Sequence, residues 1–247
     1  MTTWRLKLEY DGTEFSGWQV QPGVRTVQEE LEGSLSKLLG GDQVRVVAAG
    51  RTDTGVHAWG QVVSFRTSRS RTVRQVLLGV NRGLPKDVRC VSAEMVDFDF
   101  HANADVTNKL YRYVLRVSEA GTALRRFRLW SVREQLDLVV MSEALSLLEG
   151  EHDFTTFRAA GCVAKSPVRT IASTSVAYVG DEIWVEIEGR GFLRKMVRNI
   201  VGSLYDVGTG KRDPNWMSEI LEQKDRDLAS ATAPAQGLYL VRVDYGT

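Results

Sequence analysis

Residues 44–65 read VRVVAAGRTDTGVHAWGQVVSF, and the fold is parsed outward from this stretch. An apolar run, Val44 to Ala49, leads in, and a second, Val62 to Phe65, leads out. Such runs predict strands at about 43–49 and 61–66. Between them, within residues 48–60, lie Arg51, Asp53 and His57, with Gly50, Gly55 and Gly60 as pivots. Glycine permits φ > 0 and lets the backbone approach a ligand closely. A link that only reverses the chain takes about two to five residues. This one is longer and sets a carboxylate beside a guanidinium. Asp53 has two readings: an Asx-type turn that bonds its own backbone, or a group held for chemistry.

Upstream, Trp4, Leu6, Leu8 and Tyr10 alternate with Arg5, Lys7 and Glu9, the period of a half-buried strand. Thr26 with Glu29 is a capping-box signature, and Val27, Leu31, Leu35 and Leu38 mark one helical face. Downstream, Thr72 with Gln75 opens a second helix carrying Val76, Leu77 and Val80, and Val88 to Val96 reads as a strand. The order is β-α-β-β-α-β, a ferredoxin-like unit. The second half repeats that order without a residue-level repeat. Leu110 to Val117 is a strand, 134–149 a helix, and 168–179 and 182–189 are strands joined at Val179-Gly180-Asp181-Glu182. Phe192 to Val207 and Trp216 to Leu221 are helices, and Leu238 to Tyr245 is the last strand. The expected fold class is α+β: two ferredoxin-like halves, 1–103 and 104–247, with antiparallel sheets flanking a central cleft. The second half joins its central strands by a tight turn, so folding alone does not require the long link at 48–60.

Composition excludes several classes. Hydrophobic content of 43% and charged content of 26% are ordinary for a soluble globular chain. There is no charged-then-apolar leader and no apolar run of about 18 residues, so a cytoplasmic protein with no membrane partner is expected. Cys90 and Cys162 lie far apart, with no metal spacing, and read as reduced packing residues. His57, His101 and His152 fall in three separate segments and lack the i, i+4 partner of a zinc helix. No metal site is expected. Gly189-Arg190-Gly191 only begins like a dinucleotide fingerprint, since Arg194 holds its third glycine position.

Net charge is +1, so no global field announces a polyanion. Of the 32 basic residues, however, 8 are lysine and 24 arginine. Arginines cluster at Arg66, Arg69, Arg71 and Arg74; at Arg125, Arg126 and Arg128; and at Arg190, Arg194 and Arg198. The planar arginine fork suits phosphate and stacked bases. These are either solvated surface charges or a nucleic-acid surface.

The chemistry available is narrow. A nearby cation favours the ionised form of a carboxylate, and an ionised, oriented aspartate is a nucleophile or cation stabiliser and a poor general acid. Paired-carboxylate glycoside chemistry needs a second acid, and no motif nominates one. The predicted helix from Phe192 puts Arg194, Lys195 and Arg198 near one side. Tyr111 and Tyr113, two apart, share one face of their strand and are packing residues or a platform. His57 reads as a structural residue beside the loop, and His101 and His152 as local hydrogen-bond partners.

Five segments resemble the TruA-type tRNA pseudouridine synthases: Ala-Gly-Arg-Thr-Asp-Thr-Gly-Val-His-Ala (49–58), Lys-Leu-Tyr-Arg-Tyr (109–113), Gly-Glu-His-Asp-Phe-Thr-Thr-Phe (150–157), Phe-Leu-Arg-Lys-Met-Val-Arg-Asn-Ile-Val-Gly (192–202) and Ala-Pro-Ala-Gln-Gly-Leu-Tyr-Leu (233–240). They run in family order from one end of the chain to the other. The resemblance implies an isomerase that converts uridine to pseudouridine at positions 38 to 40 of the tRNA anticodon stem-loop, as a homodimer, without cofactor or metal. It implies that Asp53 is the catalytic nucleophile, that Tyr111 stacks on the target base, that Arg198 pairs with the aspartate and that Arg51 assists extrusion of the nucleotide. One position departs. The family often has arginine after Phe-His-Ala (100–102), and here Asn103 follows, so a phosphate contact there is expected to be lost or supplied elsewhere. Two other readings remain at this point: a non-catalytic structured-RNA-binding protein, and a glycoside-cleaving hydrolase using Asp53.

Overall fold

The structure is a computed structural model and describes residues 1–246. Ten strands and five α-helices among the described residues make a mixed α+β protein. In chain order they are β1 (Thr2–Tyr10), α1 (Val27–Leu38), β2 (Val47–Ala48), β3 (His57–Thr67), α2 (Val73–Gly83), β4 (Val88–Val96), β5 (Val106–Val117), β6 (Trp130–Val132), α3 (Leu138–Ser146), β7 (Gly150–Asp153), β8 (Val168–Val179), β9 (Glu182–Gly189), α4 (Met196–Gly208), α5 (Trp216–Gln223) and β10 (Leu238–Tyr245). The chain forms two compact units, Met1–Thr107 with the segment from Leu240 on, and Asn108–Tyr239.

In the first unit β1 is central, pairing antiparallel with β4 on one side and β3 on the other. β3 pairs in turn with β2 and β10. The alternation along β1 works as its sequence dictates: Trp4, Leu6, Leu8 and Tyr10 are all buried, and Trp4 stacks on Phe65. Full burial of one such side chain contributes roughly 1.5–3 kcal/mol. Helices α1 and α2 bury Leu31, Leu35, Val76 and Val80 and are tied where Ser34 Oγ donates to the Val80 carbonyl. Both start at threonine caps. Thr72 and Gln75 complete a capping box, whereas Thr26 accepts only the Glu29 amide. On the sheet's other face Arg5 pairs with Glu94 and lies over the rings of Phe100 and Tyr245.

In the first unit two strand boundaries differ from the sequence expectation. The first apolar run yields only the two-residue β2 rather than a strand over 43–49. Val44 and Val46 are buried, but the Val46 amide donates to Glu32 Oε1 on α1 instead of to a strand. At the far end β3 starts at His57, not 61, because Ala58 is in register with Tyr10 of β1. The link between the strands is therefore residues 49–56.

In the second unit β9 is central, antiparallel to β5 and β8, and β7 pairs beyond β8. The sheet is not purely antiparallel: β6 runs parallel to β5. It returns after the long 118–129 connection, the crossover that parallel pairing requires. Helix α3 starts at Leu138, later than expected, because Asp137 caps it by accepting the Val139 and Val140 amides. Helix α4 starts at Met196 rather than Phe192, since Lys195 is left-handed at φ 58° and breaks the helical path. Arg194 and Lys195 thus precede the helix and do not share its face with Arg198.

Candidate active site

In the first unit the 49–56 loop is held from several sides. The Ala49 amide donates to the Val62 carbonyl, and Asn103 Nδ2 donates to the Ala49 carbonyl at 2.6 Å. Gln61, fully buried, donates from Nε2 to the Gly50 carbonyl at 2.7 Å. Thr52 Oγ1 and the Tyr10 hydroxyl share a 2.8 Å hydrogen bond. The Trp18 amide donates to the Thr52 carbonyl, the Gly55 amide to the Phe15 carbonyl, and the Val56 amide to the Asp53 carbonyl. That last bond closes the turn at Asp53 through its backbone. Burial pushes the Tyr10 hydroxyl up to about 12, the bonds from Thr52 and Gln61 acting against it.

The segment after β1 completes the seat. Gly17 has φ +91°, and a Cβ there would lie 2.8 Å from the Thr52 carbonyl and 3.2 Å from the Asp53 backbone. Gly12 likewise has no room for a side chain against the Val56 carbonyl. The Gly12 amide donates to His57 Nδ1, so buried His57 fixes this segment, the structural task its sequence position implied. His101 Nδ1 accepts the Asn103 and Ala104 amides, and His152 Nε2 meets the Glu149 carbonyl, both local partners. Asp53 is partly buried and Arg51 exposed. Asn103, the departure from the family pattern, serves as an anchor at the start of the loop.

The second unit places the other two residues. Tyr111 on β5 is 7% exposed and meets the Phe192 ring edge-on at 5.0 Å. Tyr113, on the same strand face, donates its hydroxyl to the Pro234 carbonyl at 2.7 Å. Burial raises the Tyr113 hydroxyl well above its ordinary range, and the Arg198 charge opposes the shift. Arg198, in the first turn of α4, is bound twice to one residue. Its Nε donates to the Ala233 carbonyl at 2.8 Å, and the Ala233 amide donates to its carbonyl at 3.1 Å. Asn199 next to it is fully buried, donating to the Phe157 carbonyl and accepting from Thr232 and Arg226. The chain segment 226–233 is thereby locked onto α4.

The arginine clusters are mixed. Arg69 makes a bidentate pair with Asp42, and Arg125 pairs with Asp181 and Glu182. Arg66 and Arg126 instead lie over Phe98 and Phe127. Cys90 and Cys162 are free thiols. No cluster of three or more metal-ligating side chains occurs among the described residues, and no helix is long and apolar enough to cross a membrane. The sequence nominates four candidate residues but gives no role to Gln61, Phe192 or Lys109, which the structure places beside them. Only Lys109 carried a signal: it stands two residues before Tyr111, on the same strand face.

Residues 8–103 and 144–246 match the family model described as tRNA pseudouridine synthase. Curated relatives named tRNA pseudouridine synthase A span nearly the whole chain. The one from Alcanivorax borkumensis is 46% identical over 246 residues, 99% of this chain and 92% of its own. That from Aliivibrio fischeri is 45% identical over 240 residues, 97% and 91%. That from Pelobacter propionicus is 44% identical over 245 residues, 99% and 100%. The matches define an enzyme class, the pseudouridine-forming isomerases. Within it, the chain belongs to the tRNA pseudouridine synthase family.

Proposed function

We propose that this chain converts uridine to pseudouridine at positions 38, 39 and 40 of the tRNA anticodon stem-loop, as a cytoplasmic homodimer needing neither cofactor nor metal. Near full-length family membership carries the reading, together with the intact Arg51-Thr52-Asp53 loop. A base inside a stem must be unstacked before an enzyme can reach its atoms. Arg51, exposed on the loop, assists that extrusion. The extruded uracil stacks on Tyr111. Asp53 acts as nucleophile as the N1–C1′ bond breaks. The base turns and rejoins C1′ through C5, expelling the Asp53 carboxylate; the C5 proton leaves, and N1 ends protonated. Arg198 is the proposed partner of the Asp53 carboxylate. The many bonds seating residues 49–56 support a loop whose backbone does not reorganise during the reaction.

Each unit is read as one ferredoxin-like half, with the Asp loop in 1–103 and the Tyr strand and Arg helix in 104–247. The pairing of β4, β1, β3 and β2, and of β5, β9 and β8, supports that reading. Double-stranded RNA is recognised mostly by shape and backbone, and arginine patches on a nearly neutral chain fit that mode.

Asp53→Asn and Asp53→Ala test the mechanism. Each should abolish tritium release from tRNA labelled at C5 of uridine while tRNA binding and melting temperature stay near wild type. Normal turnover by either variant would reject the assignment. Wild-type protein that binds tRNA but releases no tritium would be a non-catalytic RNA-binding protein, and release of free uracil would mark a hydrolase.

A further inference from the structure

Lys109 is the fourth residue of β5 and is only 8% exposed. Among the described residues its ammonium has no hydrogen bond and no ion pair. Three arginines of the same unit share this lack of acidic partners. Arg169 donates to the Ser166 and Val168 carbonyls, Arg158 to those of Cys162 and Ala164, and Arg194 to that of Ala160. None of the four forms an ion pair with a carboxylate among the described residues. The one acid acting on Arg169 is the Cys162 thiol, while Arg158 repels it.

Burying a charge without a partner is expensive, and gathering like charges adds to the cost. Such a group would be stabilised by an anion. Its location defines the anion. Lys109 and Tyr111 lie on one face of β5, about 7 Å apart at 3.4 Å per residue. Lys109 is in register with Gly189 of β9, and Gly189 with Ile171 of β8. Arg169, two residues before Ile171, shares that face. Between the two cations stands a residue with no side chain. A Cβ at 189 would lie 2.5 Å from the Thr170 carbonyl and 3.4 Å from the Phe192 ring, so none fits. A Cβ at Gly191 would in turn lie 3.8 Å from Cδ and Nε of Arg169.

We propose that Lys109 and Arg169 hold a phosphodiester of the RNA backbone adjoining the uridine stacked on Tyr111. The proposal rests on the functional reading above. A point-charge ammonium beside a forked guanidinium is the usual protein answer to a phosphate. The burial that pushes the Lys109 ammonium down to about 8 would be offset once the phosphate arrives. The subsite also supplies a backbone contact of the kind that Asn103 cannot.

The test uses RNA hairpins with a single neutral methylphosphonate, moved one position at a time through the phosphates around the target uridine. Kd is measured for wild type, Lys109→Met, Lys109→Arg and Arg169→Met. Lys109→Met should weaken the unmodified hairpin about tenfold, the size of one charged hydrogen bond, and Lys109→Arg should restore most of the loss. At one position the methylphosphonate should cost wild type about as much and cost Lys109→Met and Arg169→Met clearly less, since each keeps only one of the two cations. Equal losses in wild type and variants at every position would overturn the proposal. If Lys109→Met fails to melt cooperatively, the Lys109→Arg and Arg169→Met arms decide alone. Failure of the functional reading is separate: wild type would then form no pseudouridine from any hairpin, whatever the binding cycle shows.

Discussion

The amide of Trp18 donates to the carbonyl of Thr52 at 3.0 Å, joining the segment before α1 to the residue preceding Asp53. The loop is thus positioned by contacts remote in sequence: Tyr10, Phe15, Trp18, Gln61 and Asn103 each hold one of its groups. A catalytic side chain displaced by a fraction of its reach loses rate steeply, so with Asp53 in its proposed role these anchors would bear on chemistry as well as stability.

Gln61→Leu leaves the Gly50 carbonyl without its buried donor. An unsatisfied buried group costs about 1–3 kcal/mol. Urea unfolding should show that loss, and single-turnover pseudouridine formation should fall about tenfold or more with little change in tRNA Kd. A variant that is destabilised yet turns over at the wild-type rate would detach Gln61 from the loop's function.

Gly17→Ala imposes a side chain at φ +91° against the Thr52 and Asp53 backbone. Strain of this kind costs on the order of 1–3 kcal/mol, and the contact adds to it. Turnover should drop more than for Gly23→Ala, at a positive φ but with nothing within 4 Å. Equal turnover in the two variants would mean the loop tolerates displacement.

Asp137→Ala removes the cap of α3, in neither candidate site element. The expected loss is about 1 kcal/mol, seen as a fall of roughly 2–4 °C in melting temperature for a chain of this size. Pseudouridine formation at 25 °C should be unaffected, so reduced turnover would show that α3 matters to the site.

Lys109 makes stability depend on pH in a defined window. Burial, and then the Arg169 charge, lower its ammonium from 10.5 to about 8. Between those values the unfolded chain binds a proton that the folded chain does not, so this residue's contribution to stability rises with pH. Tyr10, pushed up to about 12, works in reverse once unfolded tyrosine titrates, above roughly pH 10. From about pH 8 to 10 the wild type should therefore gain stability relative to Lys109→Met in urea titrations. Parallel curves for the two proteins would contradict the buried charge.

The two thiols should differ. Burial pushes Cys90 up to about 12. At Cys162 burial also raises the thiol, but the Arg194 and Ala164 amides and the Arg158 side chain outweigh it and leave it lowered. A thiolate-selective reagent at neutral pH should label Cys162 in the native protein and Cys90 only after denaturation, as peptide mass mapping would show. Rapid native labelling of Cys90 would refute its burial.

Much of the fold could be read directly from the chain. The β4, β8, β9 and β10 bounds follow from alternation and turn residues, because a half-buried strand imprints period two on its own sequence. Short-range chemistry marked the helix starts less well. Asp137 outcompeted the apolar periodicity before it, and Lys195 in a left-handed conformation cut four residues from the expected helix. Neither effect has a period to detect.

Sequence alone nominated the candidate site residues, since Arg51, Asp53, Tyr111 and Arg198 sit in short motifs that resemble one family. Only tertiary structure decided what holds them. The Asn103 bond to Ala49, the double tie between Arg198 and Ala233, and the setting of Lys109 without an ion pair depend on strands and segments meeting from distant positions. Hydrogen bonds and charge act through space over a few ångströms, and a linear pattern does not encode which distant neighbours fall within that range.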